Sequence, residues 1–262
     1  MTGYGSLFTN RQSLATFLPM SDTLVVNEVY LSLQGESTFA GLPCIFVRRT
    51  ACDLRCSYCD TAYAFAEGSK KSLADLRVEV RRLAAPFSNL VGQRLPLVEL
   101  TGGEPLLQKN SLPLMQALCD DGFTVLLETS GAHDIEQVDP RVRRIMDLKC
   151  PGSGEAARNR WENLPHLKHT DEIKFVITTW EDYEWAKARI AEHQLASICP
   201  LLFSWAHPLA PEQRDKSLKA VPAGQTPISR QELAEKIITD ALPVRFQVQL
   251  HKMIWAPEQR GV

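Results

Sequence analysis

The chain has 262 residues, a net charge of −2 and an apolar fraction of 44%. That length fits one domain or two, the apolar share supports a sizeable core, and the charge offers no basic face for nucleic acid or an anionic membrane. No apolar run reaches the ~18 residues of a membrane span, and seven cysteines, three of them clustered, fit a reducing cytoplasm better than a disulfide framework.

Residues 1–20 lack periodicity and a signal-peptide pattern, and are read as an extension of unassigned role. Residues 21–262 are expected to form a single domain. A strand is predicted over 24–33, followed by turn chemistry at Gly35 and Gly41-Leu42-Pro43. A second strand over 44–48 runs directly into Ala51-Cys52-Asp53-Leu54-Arg55-Cys56-Ser57-Tyr58-Cys59-Asp60-Thr61. Ser72 then caps a helix with Leu73, Leu76, Val80 and Leu83 on one face and Asp75 at the capping-box position. Strand-like runs follow at 97–100, 124–127, 144–148, 173–178 and 198–203. Helix-like stretches lie near 112–119, 134–138, 181–192 and 230–240. Residues 206–226 are polar and proline-containing, and predict a long loop. Val244, Phe246, Val248 and Leu250 alternate as in a core or edge strand.

Strands alternating with helices predict an α/β fold of parallel βαβ units with right-handed crossovers. Six such strands from Cys44 onward are too few to close an eight-stranded barrel. The expectation is a partial (open) parallel β/α barrel of about six strands, with an added N-terminal strand and a C-terminal strand.

In parallel barrels the active site gathers at the C-terminal strand ends, and the motifs here follow the apolar runs. Cys52, Cys56 and Cys59, spaced C-x3-C-x2-C, follow the second strand. Three thiolates on one short loop can hold three corners of a 4Fe-4S cluster and leave the fourth iron open, whereas structural zinc sites and electron-transfer clusters use four protein ligands. The alternatives are a zinc knuckle or three unrelated buried cysteines. Thr101-Gly102-Gly103-Glu104-Pro105, Glu128-Thr129-Ser130-Gly131, Lys149-Cys150-Pro151 and Ser204-Trp205 end later strands. Paired glycines let backbone approach a ligand, and exposed carbonyls or the Glu104 carboxylate can accept from an ammonium; the bland alternative is a tight turn. Cys44, Cys119, Cys150 and Cys199 are read as buried thiols.

The cysteine spacing, with Tyr58 just before the third cysteine, resembles the signature of the radical S-adenosylmethionine enzymes. That resemblance implies S-adenosyl-L-methionine on the open iron of a 4Fe-4S cluster, cleaved on reduction to a 5′-deoxyadenosyl radical. It also implies cofactor contacts from Tyr58, Cys59, Asp60, Gly102, Gly103 and Glu104, with Ser130, Asp147, Lys149 and Ser204 as further candidates.

Ser32-Leu33-Gln34-Gly35-Glu36-Ser37, Cys59-Asp60-Thr61 and Gln249-Leu250-His251-Lys252-Met253-Ile254-Trp255 make the likeness narrower. Together with the Thr101 and Glu128 motifs, they resemble the 7-carboxy-7-deazaguanine synthases from about residue 24 to the end of the chain. The resemblance implies ring contraction of 6-carboxy-5,6,7,8-tetrahydropterin to 7-carboxy-7-deazaguanine with release of ammonia, in queuosine and deazapurine biosynthesis. The radical takes hydrogen from C6, the ring contracts, and hydrogen returns from 5′-deoxyadenosine before ammonia leaves. Substrate contacts are implied for Leu33, Gln34, Gly35, Glu36, Arg48, Thr101 and Val262. A carboxylate such as Glu36 suits the paired N–H donors of a guanine-like edge, and the Arg48 guanidinium suits a planar acceptor. Thr61 is implied as a Mg2+ ligand, the alternative being a turn cap. Flavodoxin or ferredoxin as electron donor and a homodimer complete the expectation. His251 reads as a polar-network residue. A glycyl-radical activating enzyme shares the cysteine spacing, but the Leu-Gln-Gly-Glu run and the Cys-Asp-Thr ending count against it.

Overall fold

The computed structural model describes residues 22–87 and 95–262; the extension expected over 1–20 lies outside the described residues. Strand β1 (Thr23–Leu33) buries Leu24 and Val26 and pairs antiparallel with β2 (Pro43–Arg49) on one side and β3 (Ser69–Ser72) on the other. Helix α1 (Leu73–Ala84) starts where the Ser72 hydroxyl accepts from the Asp75 amide at 3.0 Å, and it buries Leu76 and Val80. The chain then alternates: β4 (Leu97–Gly102), α2 (Ser111–Asp120), β5 (Val125–Thr129), β6 (Arg143–Asp147), β7 (Glu172–Ile177), α3 (Trp180–Glu192), β8 (Leu201–Trp205), α4 (Arg230–Thr239), β9 (Arg245–Gln247) and α5 (His251–Ile254).

One sheet in the order β3-β1-β2-β4-β5-β6-β7-β8-β9 holds all of these strands, and every pairing from β2 through β9 is parallel. The six expected barrel strands and the added N-terminal strand are therefore present, and the barrel is open. The loop after β1 crosses the open side. The Thr38 amide donates to Glu172, Gln247 Nε2 donates to the Ser37 carbonyl at 2.9 Å, and the Leu250 amide donates to the Gly35 carbonyl at 3.2 Å.

Four stretches differ from expectation. No helix forms over 134–138: Asp134 and Asp139 turn their carboxylates onto the amides of Glu136 and Arg141, both at 2.9 Å, and such local bonds compete with a helical ladder. Ile135 and Val138 are nevertheless buried, which is the periodicity that predicted a helix. The strand expected from 198 begins at Leu201, because Leu195–Ser197 is a 3-10 turn. The final strand shrinks to Arg245–Gln247, since the chain coils into α5 from His251. The hairpin partner β3, a run of Ser and Lys, carried no strand signal.

The main core lies between the sheet and its helices, with Val47, Leu100, Leu127, Phe175 and Phe203 packed with Leu76, Leu114 and Tyr183. Each fully buried side chain of this size contributes about 2 kcal/mol. A smaller cluster of Cys44, Phe46, Leu97, Leu126 and Ile145 fills the floor of the barrel interior. Strand alternation carries that inner face upward. Cys44 is in register with Leu97, Phe46 with Glu99, and Arg48 with Thr101, while Asp147 registers with Lys174 and Val176 with Ser204. The inner face thus changes from apolar to charged toward the C-terminal strand ends.

Candidate active site

The cysteine loop leaves β2 at Arg49 and is braced from three directions. Ala51, at φ +77°, donates to the Ala64 carbonyl at 2.9 Å and accepts from the Glu104 amide at 2.8 Å. A Cβ on Gly103 would lie 1.8 Å from the Ala51 carbonyl oxygen, so this glycine is required by the approach of β4 to the cysteine loop. On the other side, Ser57 donates from its amide to the Ser153 carbonyl at 3.0 Å and from its hydroxyl to the Gly152 carbonyl at 2.6 Å. The Arg55 amide donates to Glu155 at 2.7 Å, and its guanidinium caps the Cys52 and Leu54 carbonyls, both at 2.7 Å.

Cys52, Cys56 and Cys59 all face one large cleft of about 1300 Å³, a volume that includes the solvent at its mouth. Cys44, Cys119, Cys150 and Cys199 do not line it. Burial pushes the Cys52 thiol up to about 11 and Cys56 up to about 12, and raises Cys59 as well. A metal's charge is what would ionise such thiols. Three thiols with no fourth cysteine at the cleft suit a cluster with one open iron. Beside them, Asp147 Oδ1 and the Tyr58 hydroxyl are buried without a hydrogen-bond partner, which leaves polar valence at the cleft for a bound group.

Gly102, Gly103, Ser130, Asp147 and Lys149 line the cleft near the thiols. Lys149 Nζ lies 2.5 Å from Asp147 and 5.9 Å from the Tyr58 ring centroid. Glu104 does not line the cleft. Its fully buried carboxylate accepts from the Thr129 hydroxyl at 2.9 Å, the Ser130 amide at 2.7 Å and the Leu106 amide at 2.9 Å. It ties the ends of β4 and β5 together. Asp60 lines the cleft, but its carboxylate is taken by Lys252 at 2.5 Å and Gln249 at 2.9 Å. Burial opposes its ionisation, yet the Lys252 charge and these bonds hold it down to about 2.

Leu33, Gln34, Gly35, Glu36, Arg48, Thr101 and Val262 all border the same cleft. Gln34 is buried; its oxygen accepts from the amides of Glu36 at 2.6 Å and Ser37 at 3.0 Å, and its nitrogen donates to Glu99 at 2.9 Å. Arg48 donates to Glu28 at 2.7 Å and to the Tyr30 hydroxyl at 2.8 Å. Glu36 accepts from Gln249 at 3.1 Å, Ser204 at 3.4 Å and Lys174 at 3.4 Å. Ser204 therefore stands with Glu36 rather than with the glycine pair. Thr61 opens the Ala62–Phe65 turn, yet its side chain makes no capping bond and its hydroxyl sits 3.7 Å from Cys59 Sγ. His251 packs on Gly35, where a Cβ would meet its ring nitrogen at 2.8 Å.

Sequence reasoning missed Glu99 and Lys174, and gave Glu128, the head of a strand-end motif, no role of its own. Lys174 bridges Glu128 and Glu36, and the Thr101 hydroxyl donates to the other Glu128 oxygen at 3.0 Å. Burial resists ionisation of Glu128, but the Lys174 charge and hydrogen bond hold it down to about 2. Burial, reinforced by the Glu128 charge, drives the Glu99 carboxyl well above the usual carboxylate range. The signal available in the sequence was a charged residue at an inward-alternating position of an otherwise apolar strand, as in Val98-Glu99-Leu100 and Ile173-Lys174-Phe175.

No family model matches the chain. A protein of Koribacter versatilis named 7-carboxy-7-deazaguanine synthase is 43% identical over 90% of this chain and 99% of its own length. Another of that name from Chlorobaculum tepidum is 40% identical over 91% and 97%. Among solved structures, QueE from Escherichia coli superposes with a TM-score of 0.63 at 21% identity, covering 87% of this chain and 95% of that one, which is a likeness of fold.

Proposed function

The chain belongs to the 7-carboxy-7-deazaguanine synthase family, and from that premise we propose how its cleft converts 6-carboxy-5,6,7,8-tetrahydropterin to 7-carboxy-7-deazaguanine with release of ammonia. The enzyme is a radical S-adenosylmethionine lyase of deazapurine biosynthesis. One observation carries the site assignment: the three-thiol loop and the Gln34–Glu36 segment open into the same cleft.

In this reading Cys52, Cys56 and Cys59 would hold a 4Fe-4S cluster, whose chemistry with bound S-adenosylmethionine would be one-electron reductive cleavage of the sulfonium. Gly102 and Gly103 present backbone to the methionine moiety, Ser130 lies alongside, and the open Asp147 oxygen takes a cofactor donor while Lys149 balances its charge. Tyr58 packs beside Lys149 at the loop. Asp60 contributes through its backbone, because its side chain is anchored to Lys252 and Gln249. Glu104 acts from behind by fixing Ser130.

At the other end Glu36 accepts the guanine-like N–H edge of the pterin, aided by backbone of Leu33, Gln34 and Gly35. Arg48, held by Glu28 and Tyr30, and Thr101 contact the remaining ring polar atoms, and Val262 borders the substrate. The Thr61 hydroxyl, whose described partner is the Cys59 sulfur at 3.7 Å, would hold Mg2+, which would neutralise the substrate carboxylate. A flavodoxin or ferredoxin donates the electron, and the protein works as a homodimer in a reducing cytoplasm. The described cysteines are all unpaired, in keeping with that compartment. The activating-enzyme alternative is not favoured, because the relatives above carry the synthase name.

The test is anaerobic incubation of the iron-reconstituted protein with the carboxypterin, S-adenosylmethionine and a reductant. Mass spectrometry should find 7-carboxy-7-deazaguanine, and deuterium placed at C6 should appear in re-formed S-adenosylmethionine. Cofactor cleavage with no change in the pterin would overturn the reading.

A further inference from the structure

Lys174 is 3% exposed, on the inner face of β7, and it reaches two carboxylates from different parts of the chain. Its Nζ contacts Glu128 Oε1 from β5 and lies 3.4 Å from Glu36 Oε2 in the loop after β1. The two glutamate side chains remain 28% and 21% exposed, whereas the lysine is nearly buried between them. All three border the cleft, and the Lys174 ammonium is turned onto the two carboxylates.

We infer that Lys174 is a positioning residue that holds Glu36 and Glu128 as a spaced pair of acceptors for the N–H donors of the bound pterin. This rests on the synthase reading given above and deepens it. The charges facing Lys174 come from several elements: Glu36 from the loop after β1, Glu99 from β4, Glu128 from β5, Asp147 from the end of β6 with its partner Lys149 just beyond, and Glu172 from β7 itself. Neutral donors on Glu36 and Glu128 are Ser204, Gln249 and Thr101, and the Glu99 carboxyl hydrogen-bonds Glu128. Within this set Lys174 is the cation on both Glu36 and Glu128.

Without it, Glu128 would lose the cation that offsets its burial, beside a Glu99 carboxyl that already resists ionisation. A carboxyl that protonates turns from acceptor to donor. An acceptor that has become a donor clashes with the N–H edge it must receive. Glu36 would also lose one of its three hydrogen-bond donors and with it a fixed position.

The experiment compares the wild type with Lys174→Met and Lys174→Arg. Titration of the carboxypterin should show about tenfold or greater weakening in Lys174→Met, the scale of one lost charge-assisted bond. S-adenosylmethionine affinity should change by less than about twofold, since the loss is confined to the substrate end. Lys174→Arg should recover part of the loss. The acid limb of kcat/KM should move to higher pH in Lys174→Met, because Glu128 would then protonate more readily. The same weakening should appear with a tetrahydropterin lacking the 6-carboxyl group. A penalty confined to the carboxylated ligand would mean instead that Lys174 binds that carboxylate, and would overturn the inference.

Carboxyl infrared bands of the protein without ligands give a readout that does not depend on turnover. The buried Glu99 carboxyl already gives one such band in the wild type; Lys174→Met should gain a further protonated-carboxyl band near neutrality, and Glu128→Gln in the same chain should remove the added band. If the wild type makes no deazaguanine while this band behaves as stated, the synthase reading fails and the charge arrangement stands. If the wild type turns over and Lys174→Met keeps its pterin affinity and pH profile, the inference fails alone. Should Lys174→Met not fold, Lys174→Gln, which keeps a neutral donor in the same space, replaces it, and unchanged pterin affinity in that variant would overturn the inference.

Discussion

Gly103→Ala is the substitution for which the structure gives the sharpest expectation. The new methyl carbon would lie 1.8 Å from the Ala51 carbonyl oxygen, 2.4 Å from its carbonyl carbon and 3.0 Å from the Cys52 nitrogen. All three are backbone atoms, so no side chain can rotate away. The gap must open by more than an ångström, which costs about 1–3 kcal/mol as overpacking. The bond from the Glu104 amide to the Ala51 carbonyl, 2.8 Å long, stretches at the same time and adds about 1 kcal/mol. For a chain of this size that predicts a fall in Tm of roughly 5–12 °C. Cys52 is the next residue, so the displaced backbone carries one of the three thiols with it. Differential scanning calorimetry of the metal-free protein gives the first number, and iron bound per chain after anaerobic reconstitution gives the second. Gly122→Ala is the control for backbone strain without a clash: its φ of +88° disfavours alanine, yet nothing lies within 4 Å of the added carbon. Equal Tm losses in the two variants, with full iron content in both, would refute the close-approach argument.

Other expectations rest on buried charge. Arg49 is fully buried, donates to Ser111 at 2.7 Å and leaves Nε and Nη1 unpartnered; burial pushes it down to about 9. A base with a lowered folded pKa binds fewer protons folded than unfolded, so stability rises with pH above about 9 toward the unfolded value near 12.5. Arg49→Met should therefore be about 1–3 kcal/mol more stable at pH 7 by urea unfolding, with the gain shrinking at pH 10; a less stable variant counts against this. Asp182, also fully buried, accepts from the Gly152 amide at 2.6 Å and from the Thr178 amide and hydroxyl at 3.0 and 2.6 Å. Asp182→Ala should cost about 3 kcal/mol and speed amide exchange at Ser57, whose bonds run to the Gly152 turn; unaltered exchange there would show that the turn needs no such anchor. Glu155→Gln, which weakens the hold on Arg55 and on Lys219 at 2.8 Å, should raise exchange at Arg55 several-fold while moving Tm by only about 2–4 °C.

The outline of the fold was legible because it is periodic. Apolar runs of four to six residues announced every barrel strand, and the spacing of Cys52, Cys56 and Cys59 announced a loop that turns three thiols into one cleft. What escaped was whatever depends on two distant segments meeting. Lys174 and Glu99 are hidden inside apolar strands, and only the inward register reveals that they share a cavity. Glu104 looks like a ligand-facing carboxylate until β5 is placed beside it, when three internal donors claim it. Gly103 carried a correct signal with an incomplete cause, since the backbone it approaches is the chain's own. The helix expected at 134–138 failed where side-chain carboxylates outcompeted the ladder, a contest that hydrophobic period does not report.

The metal-holding loop is complete by residue 59, but its scaffolding is not. Ser57 is fastened to a residue 95 positions later in the chain, and Asp60 to one 192 positions later. Contacts of such long sequence separation form late in folding. During synthesis the thiols therefore emerge long before the partners that brace their loop. A cluster held by Cys52, Cys56 and Cys59 would in that case be inserted after translation, into a loop already fastened by the far end of the chain.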